Sequence, residues 1–338
     1  MIDYKVSLRD FNTFGLDYKA STLCSFRSET EAFLELRDEI DKDKPHLIIG
    51  SGSNILFTED YNGFIIHSDI QGISIEEEFP DRIVISSGSG VMWDSLVEWT
   101  VGNGFGGLEN LSYIPGLVGA APVQNIGAYG TEVQKFITKV RAIEIKSGKT
   151  EEFSHDMCSF GYRDSIFKHE LKGQFLITRV FFNLSKRPAF NIGYGPVKED
   201  AEKLGPLSLK TIRQAIINIR RDKLPDTTIT GNAGSFFMNP VVSDKKAEDL
   251  RKKYNDIPIY PVSAGEVKLA AGWLIEQCGW KGRRSGNAGV YDKQALVLVN
   301  LGNATGKEIY DLSEEIRKSV YEEFGIMLQR EVEVIGST

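Results

Sequence analysis

The sequence predicts an α+β protein of two or three domains. At 338 residues the chain is long for a single core. Its first two thirds read as strands with a few helices and no regular βαβ repeat, which argues against a doubly wound parallel sheet. Its last third turns to longer helices set around one strand, and the chain closes on a further strand expected to return toward the first domains.

The elements follow in order. Asn12 to Ala20 (NTFGLDYKA) is a short polar-aromatic lead-in. Ser28 and Glu31 have capping-box spacing, and Phe33, Leu36 and Ile40 continue at helical spacing until Pro45. His46 to Ile49 is a short apolar strand, and Phe64 to His67 a second. Arg82 to Ser87 reads as strand. Ser89 to Val101 reads as a helix with Met92, Leu96 and Trp99 on one face, ended by Gly102-Asn103-Gly104. Val140 to Lys146 and Thr150 to Phe153 flank Ser147-Gly148-Lys149 as a hairpin, and Gln174 to Leu184 is a strong strand. Arg187 to Gly205 breaks the pattern, an excursion with Tyr194 between two glycines. Leu209 to Leu224 is a helix with Ile212, Ile216 and Ile219 on one face, and Pro225-Asp226 is a domain junction. Gly231 to Pro240 reads as a second Gly/Asn-rich loop. Helices are expected at Ser243 to Tyr254, Lys268 to Cys278 and Thr305 to Phe324, a strand at Ala295 to Asn300, and a closing strand at Ile326 to Ile335.

Composition narrows the function. Hydrophobic residues make up 41% and charged residues 26%, the balance of a soluble globular protein. The net charge of −7 argues against wholesale binding to a phosphate backbone, so no nucleic-acid partner is expected, and an anionic ligand needs a local basic patch. No apolar run is long enough to span a membrane, and the N-terminus has no apolar signal core. Cys24, Cys158 and Cys278 lie far apart without a C-x-x-C pair, which disfavours disulfide and zinc frameworks and fits a cytoplasmic compartment. His155, Asp156 and Cys158 are too little to hold a metal, and no metal is expected.

Two glycine-rich stretches point to a ligand. Asn103 to Gly130 holds seven glycines, three alanines and two prolines, with Glu109 as its only charge. Missing Cβ atoms admit backbone N–H groups to a flat or anionic group, while Pro115 and Pro122 stiffen the loop. With Asn110, Gln124 and Asn125 interleaved, the stretch reads as a cofactor cradle. The second stretch, Gly50-Ser51-Gly52-Ser53-Asn54, lacks the third glycine and following helix of a dinucleotide fingerprint. It is either a nest of N–H groups for a phosphate or an ordinary turn between strands.

Three polar residues could carry chemistry. Ser235, in Gly231 to Pro240, stands between a bare backbone and two aromatic rings, where a poorly solvated hydroxyl can give a proton to carbon; it could equally cap its own loop. No G-x-S-x-G is present, so a hydrolase elbow is not supported. Arg163, in Gly161 to Ser165, has the fork that matches a carboxylate, or it pairs with Asp164 at the surface. Glu331 sits beside Arg330 in the closing strand, where glutamates commonly face water. Arg220, Arg221 and Lys223 form a basic cluster for a diphosphate or a solvated helix end.

Taken together, NTFG, GSGSN, IPGLVGAAPVQNIGAYG, FGYRDSIFK, GNAGSFFMNP and AAGWLIEQCGWKG with a downstream NAGV resemble the UDP-N-acetylenolpyruvoylglucosamine reductase (MurB) family, in order from about Asn12 to Ile335. The resemblance implies a vanillyl-alcohol-oxidase/PCMH-type FAD-binding fold of two subdomains (1–67 and 68–224, with an insertion at 187–205). It adds a C-terminal α+β substrate-binding domain (225–325) and a closing strand (326–338) that returns to the active site. It implies non-covalent FAD on Gly50, Ser51, Gly52, Ser53 and Asn54 and on Pro115, Gly116, Gly119, Ala120, Gln124, Asn125, Gly127 and Ala128. NADPH is the implied co-substrate, a UDP-sugar the substrate, and the protein is expected to be a monomer. Ser235 matches the family's proton donor. Arg163 and Glu331 match residues that polarise the enolpyruvyl carboxylate; as a donor Glu331 would be protonated, hence desolvated. Lys223, Asn239 and Gln294 match positions that hold nucleotide and sugar, and Tyr194 the tyrosine of the longer type that closes over substrate. The closing strand departs from the family, with Arg330 before Glu331 where relatives have Pro and Glu333 where they have Arg.

Two alternatives remain at this stage. One is another flavin oxidoreductase of the same fold. The cradle has no His or Cys, which disfavours a covalent flavin there. The other is a non-catalytic nucleotide-binding protein, against which Ser235, Arg163 and Glu331 argue.

Overall fold

The strand Phe175–Ser185 is buried along most of its length because it is the middle strand of a five-stranded antiparallel sheet. Its neighbours are Ile137–Glu144, which continues to Thr150–Ser154, and Arg82–Gly88, which continues to Ile73–Glu78. The computed structural model describes residues 2–39 and 45–337. The chain divides into two compact units. One comprises Met1–Val6, Ala20–Ser51 and Asn62–Arg220; the other comprises Ser7–Lys19, Gly52–Tyr61 and Arg221–Thr338.

The first unit holds that sheet and a four-stranded one in the order Ile2–Ser7, Lys19–Phe26, Tyr61–Ser68, His46–Ile49, the last pair parallel. Helix α1 (Glu29–Glu39) sets Ala32 and Leu36 against Phe26, Phe64 and Ile66. Its start carries half the expected capping box. Ser28 Oγ accepts the Glu31 N–H, but the Glu31 carboxylate takes the N–H of Arg27. Ile40 and the approach to Pro45 lie outside the described residues. The strands Ile2–Ser7, Lys19–Phe26 and Ile73–Glu78 were not legible in the sequence.

Helix α2 (Trp93–Gly102) begins four residues later than expected and presents a different face: Trp93, Leu96, Val97 and Thr100 are buried, while Met92 is exposed at the cap. The backbone before it is already engaged. Ser89 N–H donates to Thr178, and the oxygens of Ser89 and Val91 accept from Gly119 and Val118. The 187–205 excursion contains helix α3 (Val197–Leu204). It packs Val197 and Ala201 with Ile212, Ile216 and Ile219 of α4 (Leu209–Lys223).

The second unit is built on one core. Phe14, Leu56, Phe236, Phe237, Leu274 and Ile309 are among its buried residues. Helices α5 (Asp244–Lys253) and α6 (Ala271–Gln277) precede α7 (Gly306–Phe324), whose N-terminus is closed by a full capping box between Thr305 and Glu308 and whose C-terminus ends at Gly325 in the left-handed region.

Two expectations are corrected here. Gly231–Ser235 is a strand, antiparallel to Val297–Asn300, rather than a loop. The closing strand is only Glu333–Ile335, parallel to Ile55–Phe57, and Glu331 lies in the bend before it. The segment cannot run as one strand because it changes partner. Gln329 O accepts the Met238 N–H and Arg330 bridges Phe237, but Glu333 N–H turns to Asn54.

Candidate active site

In the first unit the cradle is laced to its neighbours through backbone bonds. Gly116 O accepts the Trp93 N–H, and Gly119 N–H donates to Ser89 O. Pro115 and Ala120 stay exposed, and Gly119, Gln124, Gly127 and Ala128 half-buried, while Gly116 and Asn125 are buried. Gly50 meets this surface directly, since a Cβ on it would lie 3.5 Å from the Ala120 Cβ. Next to it, Ser51 Oγ is sealed and without a hydrogen-bond partner. Of the seven non-glycine residues with positive φ among the described residues, Tyr113, Asn125 and Tyr129 lie in the cradle and a fourth is Arg163. Left-handed backbone concentrated in one place is stored strain, which persists where a site needs a shape that relaxed backbone does not give.

Arg163 belongs to this network. Its Nη2 donates to Gly127 O at 2.6 Å, and Asn125 Nδ2 reaches Gly161 O at 2.7 Å from the other side. A Cβ on Gly127 would fall 2.7 Å from Arg163 Nη1 and 3.0 Å from Thr131 O, so a side chain there would press on the guanidinium. The Asp164 carboxylate meets His169 at 2.7 Å.

The excursion brings Tyr194 to the same place. Tyr194 stands edge-on to Tyr129, ring centroids 6.1 Å apart, and is 47% exposed. Asn110 Nδ2 donates to both Tyr129 O and Asn191 O, and Asn191 Nδ2 to Gly130 O and Thr131 Oγ1. Helix α4 clamps Tyr113: Arg220 Nε donates to its oxygen at 3.0 Å, and Asp94, forked by Arg213 at 2.6 and 2.9 Å, accepts its N–H. Burial pushes the Asp94 carboxyl up, but Arg213 and the Tyr113 N–H outweigh it and hold it below the ordinary range. The expected basic cluster is therefore divided. Arg220 is turned to Tyr113, whereas Arg221 and Lys223 are exposed and belong to the second unit.

In the second unit Ser235 ends its strand just after a register shift, with Gly234 at φ +67°. Phe236 and Phe237 fill the core behind it, rings edge-on at 5.3 Å. Glu331 is brought beside this strand end: its N–H donates to Phe236 O at 2.8 Å, and its own oxygen accepts from Asn54 Nδ2 at 2.8 Å. Three expected residues, Asn54, Ser235 and Glu331, thus come from distant parts of the chain to one place. Gly52 and Ser53 precede Asn54 in this unit. Arg330 turns away, paired with Glu314 on α7 and set over the Tyr310 ring at 4.8 Å.

Asn239 and Gln294 each lie against the start of α6. Asn239 Oδ1 accepts the Ala271 N–H at 2.9 Å, and Gln294 Oε1 stands where a Gly272 Cβ would be 2.9 Å away. Lys293 beside Gln294 bonds Asp222 beside Lys223 at 2.8 Å. Among the described residues no group of three or more His, Cys, Asp or Glu is placed to hold a metal, and no helix is long and apolar enough to cross a membrane. Asn191, Arg213 and Asn232 escaped the sequence reading. For Asn232 a signal existed, because Asn-x-Gly favours a side-chain turn onto the glycine N–H.

Comparison with known proteins decides the family. Residues 225–335 match the UDP-N-acetylenolpyruvoylglucosamine reductase C-terminal domain, and residues 27–154 match the FAD binding domain. The chain is 46% identical over 337 residues to the UDP-N-acetylenolpyruvoylglucosamine reductase of Flavobacterium johnsoniae, covering 99% of each chain. The chain belongs to the UDP-N-acetylenolpyruvoylglucosamine reductase family. The reductase of Bacteroides fragilis is 45% identical over 99% of this chain and 100% of its own. The crystal structure of the Thermus caldophilus reductase, 24% identical, shares the fold with a TM-score of 0.71 over 99% of this chain and 100% of that one. A more distant structure, 6-hydroxy-D-nicotine oxidase from Arthrobacter nicotinovorans, has a TM-score of 0.50 at 12% identity over 96% and 86%.

The reductase family's FAD suits the residues present. Ser51 Oγ is a buried polar atom lacking a partner.

Proposed function

We propose that the chain reduces the enolpyruvyl ether of UDP-N-acetylenolpyruvoylglucosamine to the lactyl ether of UDP-N-acetylmuramate in peptidoglycan precursor synthesis. It would act as a cytoplasmic monomer with non-covalent FAD and with NADPH as reductant. The four- and five-stranded sheets are taken as the two FAD-binding subdomains (1–67 and 68–224), 225–325 as the substrate domain and 326–338 as the closing segment. The bond from Glu331 N–H to Phe236 O carries the reading, because it holds a family glutamate against the strand end that bears Ser235.

When bound, FAD supplies two-electron hydride chemistry between NADPH and substrate. Hydride arrives at the carbon beta to the substrate carboxylate, and negative charge builds on the enolate. Arg163 and Glu331 hold that carboxylate and lower the barrier by preorganised electrostatics. Ser235 Oγ–H gives its proton to the alpha carbon, forming the new C–H bond, and is re-protonated from water. Lys223, Asn239 and Gln294 hold nucleotide and sugar, and Tyr194 covers the substrate.

The test is the visible spectrum without oxygen. Bleaching of a flavin band by NADPH, followed by its return on adding the enolpyruvyl UDP-sugar, is the expected result. Bleaching without return means another substrate. Failure to bind flavin at all removes the reading.

A further inference from the structure

The NTFG turn lies outside the mechanism above, yet it is held tightly. Asn12 Nδ2 donates to Leu8 O and Leu16 O, and Asn12 Oδ1 accepts the Leu16 N–H, so the carboxamide closes the turn. The turn presses on two glycines from opposite parts of the sequence. A Cβ on Gly52, at φ +64°, would lie 1.9 Å from Phe11 O, and a Cβ on Gly231 would lie 2.2 Å from Phe14 O. Between them Thr13 is bonded on both sides. Its N–H donates to Gly52 O at 3.3 Å, and its oxygen accepts the Asn232 N–H at 3.0 Å.

Asn232 continues the chain of contacts toward Ser235. It is 2% exposed. Its Nδ2 donates to Pro225 O and Thr230 O, and its Oδ1 accepts the Gly234 N–H at 3.0 Å. The register shift against Val297–Asn300 falls between Asn232 and Ser235. Such a shift leaves backbone unpaired and free to choose among conformations, most of all at a glycine. The Asn232 carboxamide removes that freedom by occupying the Gly234 N–H.

We propose that Asn232, seated on Thr13, is the positioning residue for Ser235. Its side chain fixes the bulge that sets Ser235, and its backbone bond through Thr13 ties that strand to the Gly52–Asn54 loop. This rests on the reading of Ser235 as proton donor. A displacement of about 1 Å at a proton donor costs up to about a hundredfold in rate, so loss of the carboxamide falls on proton transfer and not on reduction by NADPH.

The experiment follows both half-reactions by stopped flow on the full flavin-loaded protein, with rates per bound flavin. Asn232→Ala is expected to slow reoxidation by the enolpyruvyl UDP-sugar about tenfold or more, to raise its solvent deuterium isotope effect, and to leave bleaching by NADPH unchanged. Asn232→Ser keeps a hydroxyl acceptor for the Gly234 N–H without burying a charge, and is expected to recover most of the rate. If Asn232→Ala fails to fold, Asn232→Ser decides alone: a rate near that of the parent supports the proposal, and a tenfold loss sinks it. Parent-like reoxidation in Asn232→Ala, or an unchanged isotope effect, overturns the brace while Ser235→Ala still slows the step. If Ser235→Ala reoxidises at the parent rate, the proton-donor reading itself has failed, and this inference with it.

Discussion

Arg163 donates through Nη2 to the carbonyl oxygen of Gly127 at 2.6 Å, with its own backbone at φ +56°. A strained residue thus holds its fork against the cradle. Arg163→Lys keeps the charge but loses the planar fork. The expected result is a loss of about 10²–10³ in the substrate half-reaction with reduction by NADPH intact, the magnitude of one lost preorganised donor. Equal loss in both half-reactions would assign Arg163 to the flavin site instead.

Gly52→Ala asks for a Cβ 1.9 Å from Phe11 O at a left-handed φ. Neither backbone can give way without breaking the Thr13 bond. A cost of about 2–4 kcal/mol is expected, read as a lower denaturation midpoint with an unchanged slope. A midpoint within error of the parent would mean that the turn is pliable.

Thr13→Val tests the same turn in the opposite direction. Thr13 Oγ1 is sealed and has no partner, while the brace runs through the Thr13 backbone. Replacing an orphaned hydroxyl by a methyl of similar shape is expected to leave both half-reactions unchanged and to raise stability by about 1 kcal/mol. A fall in stability would show that the hydroxyl has a bonding role.

Burial pushes the Cys158 thiol up to about 12 from its ordinary value of 9.0, and that of Cys278 up to about 11. A raised folded value means that the unfolded chain loses the proton first. The stabilising contribution is complete below pH 9 and declines as pH rises toward the folded values, by at most about 1.4 kcal/mol per pH unit and thiol. Denaturation midpoints from pH 8 to 11 should fall, and Cys158→Ala should flatten part of the slope. A parent slope matched by Cys158→Ala would remove the thiol as the cause.

Arg330 is engaged with Glu314 and stacked over Tyr310, not turned upon Glu331. Arg330→Met is therefore expected to cost stability of about 1 kcal/mol or less, with the pair partly solvated, and to leave the substrate half-reaction within about twofold of the parent. A loss of tenfold or more would place the Arg330 charge at the reacting group.

Local pattern carried much of this protein. Apolar runs bounded by turn residues fixed His46–Ile49 and the middle strand Phe175–Ser185, and helical spacing placed the long helix expected at Thr305 to Phe324, observed as Gly306–Phe324. The glycine-rich stretches and the ordered motifs pointed to FAD and to the family, since backbone without side chains is itself a local property. Tertiary structure decided what depends on partners far along the chain. Gly231–Ser235 is a strand because Val297–Asn300 lies beside it, and Glu331 sits in a bend because its segment passes from Met238 to Asn54. Met92 gave way to Trp93 because the preceding backbone was already bonded to the cradle. The bond from Asn232 N–H to Thr13 O has the same cause: a hydrogen bond between residues 219 positions apart leaves no periodic trace in sequence, and only the folded chain brings its two ends together.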